Sequence, residues 1–356
     1  MLSDDFVQQL TADLTAGAAE DGQPARVFTL SNANGMTATF MDIGATWVSC
    51  TLPLRCGRRE VLLGCRTLAD YQRQTAYLGA TVGRFANRIG NSRFSRNGKV
   101  FSLLANENAH CLHGGPHGFD RQRWQVEECS DAMIRFSGSS PAGDQGFPGH
   151  LTVSVTVSLN ASNQVIFDYQ AHTDEDTPVN LTNHAYFNLS GAESGSDCLD
   201  HRLTVHAQRY VVTDSDRIPT GELRAVAGTG FDFGKGKPVR QDLLLDADQQ
   251  QAGGYDHAFV LDDDVIGTGT AVELVSEDEQ VSMTVRTTKP AVQIYTGNAL
   301  AGTPGRDGCY QQHQGIAIET QYLPDSPNHP EWHFSDAWLT AGESYQHTTC
   351  YQFDFE

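Results

Sequence analysis

The chain is short of basic residues and has no long apolar run, and both shortages restrict what it can do. It carries 24 Lys and Arg against 44 Asp and Glu, a formal net charge of -20 over 356 residues. Such a chain repels phosphate backbones and anionic lipid surfaces, which excludes nucleic acid and membrane as expected partners. No stretch is apolar enough over sufficient length to span a bilayer. The opening residues MLSDDFVQQLTADL are acidic where a secretory leader is basic and then hydrophobic, so a cytoplasmic location is expected. The eight cysteines, Cys50, Cys56, Cys65, Cys111, Cys129, Cys198, Cys309 and Cys350, include no CxxC pair and read as reduced structural thiols. Fixed-period repeats, low-complexity tracts and linker-like compositions are also missing. The expected organisation is an N-terminal extension over residues 1–23 followed by one continuous domain over 24–356.

Helical periodicity is scarce as well. Phe6, Leu10 and Leu14 predict one short helix in the extension. What is abundant is alternation: HLTVSVTVSL places Leu151, Val153, Val155, Val157 and Leu159 on one face, NASN turns the chain, and QVIFDYQAH continues with Val165, Phe167 and Tyr169. VSMTVRTT and AVQIYTG repeat the pattern, and the 34 glycines fall largely between such runs. The predicted class is all-β, a sandwich or barrel with few short helices.

Several cofactor signatures fail on inspection. GTGFDFGKGKP has the wrong spacing for a phosphate-binding loop, with Pro238 where a magnesium-binding hydroxyl belongs. His110, His113 and His117 lie close together, but in a glycine-rich loop without HExxH, so neither metal nor cofactor is expected. The acidic LDDDV around Asp262 lacks calcium-loop spacing. Polar islands at strand ends remain. In GIAIETQ, Ile316 and Ile318 share one face while Ala317, Glu319 and Gln321 share the other, which by itself reads as a half-exposed strand with a solvated Glu319. Taken singly, Arg84 reads as an ion-pair partner, Asn87 and Asp256 as turn residues, and His113 as a loop histidine. His184 reads equally as a satisfied buried histidine or a catalytic one.

Taken together, GRFANRIGNSRF, LHGGPHGFDRQRW, DQGFPGHL, PVNLTNHAYFNLSG, GYDHAF and ETQYLPDSPNHPEW stand in an order and spacing that resembles the aldose 1-epimerase (galactose mutarotase) family, from about Pro24 onward. The resemblance implies a single large β-supersandwich with an open cleft, no cofactor, and interconversion of the α and β anomers of hexoses such as galactose and glucose. The implied partner is a small aldose sugar, and the implied assembly a monomer or homodimer. Residue by residue, the resemblance puts the general base on Glu319, the general acid on His184, and a second active-site histidine on His113. It puts sugar-hydroxyl ligands on Arg84, Asn87, Asp256 and Gln293. Phe85 or Tyr186 is the candidate aromatic wall. The competing readings are a hexose-6-phosphate 1-epimerase of the same fold, a non-catalytic carbohydrate-binding protein, and a glycosidase using Asp256 and Glu319 as its carboxylate pair.

Overall fold

Alternating β-branched and polar residues at 151–173 fold as their period dictates. In the computed structural model, which describes Leu2 and residues 5–356, the strands Leu151–Leu159 and Gln164–Thr173 pair antiparallel, with Leu151 opposite Thr173 and Leu159 opposite Val165. They sit in a nine-stranded antiparallel sheet that continues through Ser344–Phe355 and Val281–Thr287. A six-stranded sheet runs in the order Tyr186–Phe187, Ile316–Gln321, Ala291–Tyr295, Asp256–Leu261, Ala207–Thr213, Pro219–Ala225. A third sheet takes four strands from Val27 to Glu60.

One contiguous apolar cluster takes side chains from all three sheets. At its centre Trp47 meets Phe167 at 5.5 Å and Tyr351 at 5.6 Å, and Phe187 meets Tyr351 at 5.5 Å. Each aromatic side chain buried this way contributes about 1.5–3 kcal/mol, enough to hold the sheets face to face. Among the described residues there are three α-helices, Phe6–Thr15, Leu68–Arg73 and Ala247–Ala252, and none is long and apolar enough to cross a membrane. The first is the helix expected in the extension, with Leu10 and Leu14 buried in a smaller cluster that also holds Leu68. The loop around Phe231 and Phe233 is structural: both rings are buried, and Phe231 stacks on Tyr210 at 3.8 Å.

One expectation fails. The strand Ile316–Gln321 is buried at all six positions, and Glu319 is only 2% exposed. Ile316 and Ile318 enter the intersheet core, while the opposite face lies beneath loops that build a cleft. Alternation reports two faces but not what covers the polar one. The six-stranded sheet thus brings Gln293 opposite both Glu319 and Ala258, with Asp256 opposite Tyr295 at the neighbouring strand end.

Candidate active site

Two short pairings deliver the remaining polar groups to the carboxylate. Thr182–Asn183 pairs with Thr81–Val82, and His184, just beyond, is fixed by its N–H to Ala80 O and its carbonyl to Gly79 N. Arg88–Ile89 pairs with Cys111–Leu112, which sets Asn87 beside His113. Those two residues are tied twice: His113 N–H donates to Asn87 O at 3.0 Å, and Asn87 N–H donates to His113 Nδ1 at 2.9 Å. Tyr77, Asn87 and His113 all have positive φ, of 57°, 69° and 51°. Left-handed backbone is most costly for the bulky Tyr77, at about 1–2 kcal/mol.

The result is a cleft of about 690 Å³ lined by Tyr77, Asn87, Arg88, Glu107, His113, His184, Tyr186, Arg217, Asp256, Tyr295, Leu300, Thr303 and Glu319, among others. At its floor His184 Nε2 stands 3.4 Å from Glu319 Oε1. His184 is flanked by aromatic rings, Tyr186 at 4.9 Å and Tyr77 at 5.9 Å, and Tyr77 also packs edge-on against His113 at 4.6 Å. Arg88 grips Glu107 through Nε at 2.5 Å and Nη2 at 3.1 Å and lies 4.0 Å from Asp256. Gln293 donates to Asp256 Oδ1 at 2.8 Å.

A comparison of two buried glutamates shows which one is free to act. Glu60 accepts from Ser49 Oγ, Cys50 N and Leu62 N and has Arg306 at 3.7 Å, so both of its oxygens are committed. Glu319 Oε2 is buried without a hydrogen-bond partner. Burial drives the Glu319 carboxyl well above the usual carboxylate range; Asp256 adds to the rise and Arg88 opposes it. Burial lowers His184 to about 4, and its Nδ1 is also unpartnered.

His113 is different in kind. Because its Nδ1 accepts the Asn87 N–H, its proton sits on Nε2, making it a fixed neutral donor. Burial, helped by His184 and Arg88, holds its pKa well below the imidazole range, so it stays in that state. This bears on metal binding, since ligand atoms of His113, His184 and Glu319 lie within 4.8 Å of one another. A cation on His113 Nε2 would need that proton moved to Nδ1, against the Asn87 N–H. The trio therefore fits a hydroxyl-bearing molecule better than a metal ion.

Of the residues singled out in the sequence, Glu319, His184, His113, Asn87 and Asp256 line the cleft. Gln293 stands behind them and reaches the cleft through Asp256. Arg84 does not belong there. Its guanidinium donates to Ser140 Oγ, Thr177 Oγ1 and the carbonyls of Ser140, Pro141, Pro148 and Gly149, which consumes its donors in a loop-locking role. Arg88, four residues on in the same phrase GRFANRIG, lines the cleft instead. Phe85 is likewise displaced, packing in a cluster with Ile89, Phe94 and Phe147, while Tyr186 forms the wall. Sequence reasoning also missed Tyr77, Glu107, Arg217 and Tyr295; only Arg88 carried a signal, its position beside Asn87.

The two arginines separate by experiment. Arg84→Met strands three buried carbonyls, those of Ser140, Pro148 and Gly149, and should cost on the order of 3 kcal/mol, read as a lower Tm, with KM of the folded fraction unchanged. Arg88→Met should shift KM. A KM effect at Arg84 without loss of stability would reverse the assignment.

A family model described as aldose 1-epimerase matches residues 26–352. The chain is 47% identical to an aldose 1-epimerase of Haemophilus influenzae over 94% of this chain and 97% of that protein. It is 46% identical to one of Escherichia coli K12, over 95% and 98%. A human galactose mutarotase is 39% identical over 87% and 89%. Among solved structures, a GalM/aldose epimerase homologue from C. elegans superimposes with a TM-score of 0.83 at 31% identity, covering 93% of this chain and 99% of that one.

Proposed function

The chain belongs to the aldose 1-epimerase family and is an isomerase of aldose anomers, and from that premise we propose that Glu319 and His184 move the two protons of the reaction on a neutral hexose such as galactose or glucose. Asn87, Arg88, His113 and Asp256 hold the sugar. The observation that carries this reading is the buried Glu319–His184 pair, 3.4 Å apart at the floor of the cleft, with one atom of each unpartnered.

An anomer inverts when its hemiacetal opens, the C1–C2 bond rotates, and the ring closes on the other face of the carbonyl. Opening takes a proton from the C1 hydroxyl and delivers one to the ring oxygen. A carboxylate serves as acceptor and an imidazolium as donor, each worth roughly a hundred- to ten-thousandfold. Burial penalises either charge standing alone, and that constraint explains the pairing. One proton shared between Glu319 and His184 keeps the pair neutral overall, both as carboxylate with imidazolium and as carboxylic acid with imidazole. Opening converts the first form to the second and closure reverses it, so the site resets without an outside reagent.

The surrounding groups supply grip. His113 Nε2–H is a permanent donor to a sugar oxygen, Asp256 accepts from hydroxyls, and Arg88 and Asn87 donate. Tyr77, Tyr186 and Tyr295 offer faces to the apolar C–H surface of the ring. Arg88 is engaged by Glu107 and stands near Asp256, while Glu107, Asp256 and Glu319 all line the cleft. That balance favours a neutral sugar over a phosphorylated one. Galactose or glucose should therefore be turned over with higher kcat/KM than glucose 6-phosphate.

Polarimetry of freshly dissolved α-galactose and α-glucose tests the proposal: the purified protein should bring rotation to equilibrium far faster than buffer. A spontaneous rate in its presence would contradict the reading and leave a binding protein. The pH profile tests the shared proton. His184 is depressed to about 4, so a second proton joins the pair only near that pH, and kcat/KM should fall below about pH 4–5. The raised Glu319 sets the alkaline limb, where the last proton leaves. An acid limb near the ordinary imidazole value of about 6.5 would show an unperturbed histidine instead.

A further inference from the structure

The segment after the Glu319 strand, LPDSPNHPEW, lies outside the cleft lining, yet one of its side chains is built into the backbone beside Arg88. Asp325 is 5% exposed and has a φ of 58°. Its N–H donates to Arg88 O at 2.8 Å, and its Oδ1 accepts Gly90 N–H at 2.8 Å. The residue thereby takes both outward peptide groups flanking Ile89. On the other edge Arg88 and Ile89 pair with Leu112 and Cys111. Asp325 thus replaces a neighbouring strand. Its carboxylate is held in turn, with Asn328 Nδ2 donating to Oδ1 at 2.7 Å and His329 Nε2 lying 3.5 Å from Oδ2.

We infer that Asp325 is a positioning residue for the sugar-holding Arg88, acting through the Arg88 and Gly90 peptides, an inference that rests on reading Arg88 as a sugar ligand. The guanidinium bridges Glu107 at 2.5 Å and Asp256 at 4.0 Å, so a small shift of its Cα would change its reach toward a sugar hydroxyl. The same chain segment carries Glu319 six residues earlier, so one stretch of backbone sets both the base and the arginine. A small-residue or turn-forming role for Asp325 would need neither bond to the 88–90 strand.

Steady-state mutarotation kinetics on galactose test this. Asp325→Ala should raise KM roughly tenfold, the scale of one lost charge-assisted hydrogen bond, with kcat within about threefold of wild type. Asp325→Asn, which keeps an oxygen facing Gly90 N–H, should restore KM to within about threefold. A purely structural residue would lower Tm and leave the KM of the folded fraction alone. Wild-type KM in folded Asp325→Ala, an Asn variant as impaired as Ala, or a fall in kcat at constant KM would each overturn the inference. Should Asp325→Ala not fold, Asp325→Glu gives the same readout: a raised KM at constant kcat supports it, and a wild-type KM overturns it. Arg88→Lys is the control. If that variant keeps wild-type KM, the reading of Arg88 itself fails, which the Asp325 variants alone would not reveal.

Discussion

Glu319→Gln should lose roughly two to four orders of magnitude in turnover while still folding and binding galactose. The amide keeps the shape and can accept a hydrogen bond, but it cannot take the C1 hydroxyl proton. Because burial already opposes ionisation of Glu319, the substitution removes an energetic burden, and Tm should hold or rise. That combination separates a catalytic carboxylate from a structural one. Glu60→Gln, by contrast, disturbs a carboxylate with both oxygens bonded and should lower Tm without reaching the chemistry. Calorimetric titration with galactose, thermal melts and polarimetry on the two variants give the comparison; wild-type turnover in Glu319→Gln would remove the proposed base.

His184→Asn should cost roughly a hundred- to ten-thousandfold in kcat with a modest change in KM, since the site keeps its other sugar contacts but loses the imidazole proton carrier beside Glu319. His113→Asn should behave differently. With Nδ1 occupied by Asn87 N–H and its pKa held low by burial, His113 donates a hydrogen bond without surrendering the proton. Its replacement should mainly raise KM, with a smaller loss of kcat. Equal and severe losses of kcat at both histidines, measured over matched substrate ranges, would show that the acid role is not confined to His184.

The fold was legible where one period dominated. Leu151 to Tyr169 alternates because one face meets the intersheet core, and the hairpin forms over the expected residues. Phe6, Leu10 and Leu14 mark a real helix for the same reason. Glu319 was misread in isolation because alternation separates two faces without reporting that loops roof the polar one. The motif phrases singled out Glu319, His184, His113, Asn87 and Asp256, and the fold gathers all five at one cleft. They failed between Arg84 and Arg88, two arginines of one extended phrase whose side chains go to opposite destinations. That choice depends on carbonyls at 140–149, far away in sequence. Tyr77 and Asp325 were invisible for a related reason: each acts through a left-handed backbone and contacts that only the tertiary fold creates.

A double-mutant cycle measured by carbon-13 exchange spectroscopy on galactose at anomeric equilibrium tests the central claim, that Glu319 and His184 pass one proton as a unit. Exchange rates would be compared for wild type, Glu319→Gln, His184→Asn and the double variant, each confirmed folded. If the two groups act together, removing the second should cost little once the first is gone, leaving the double variant within about tenfold of the slower single. If the two losses multiply in full, each residue contributes independently and the shared-proton account is wrong.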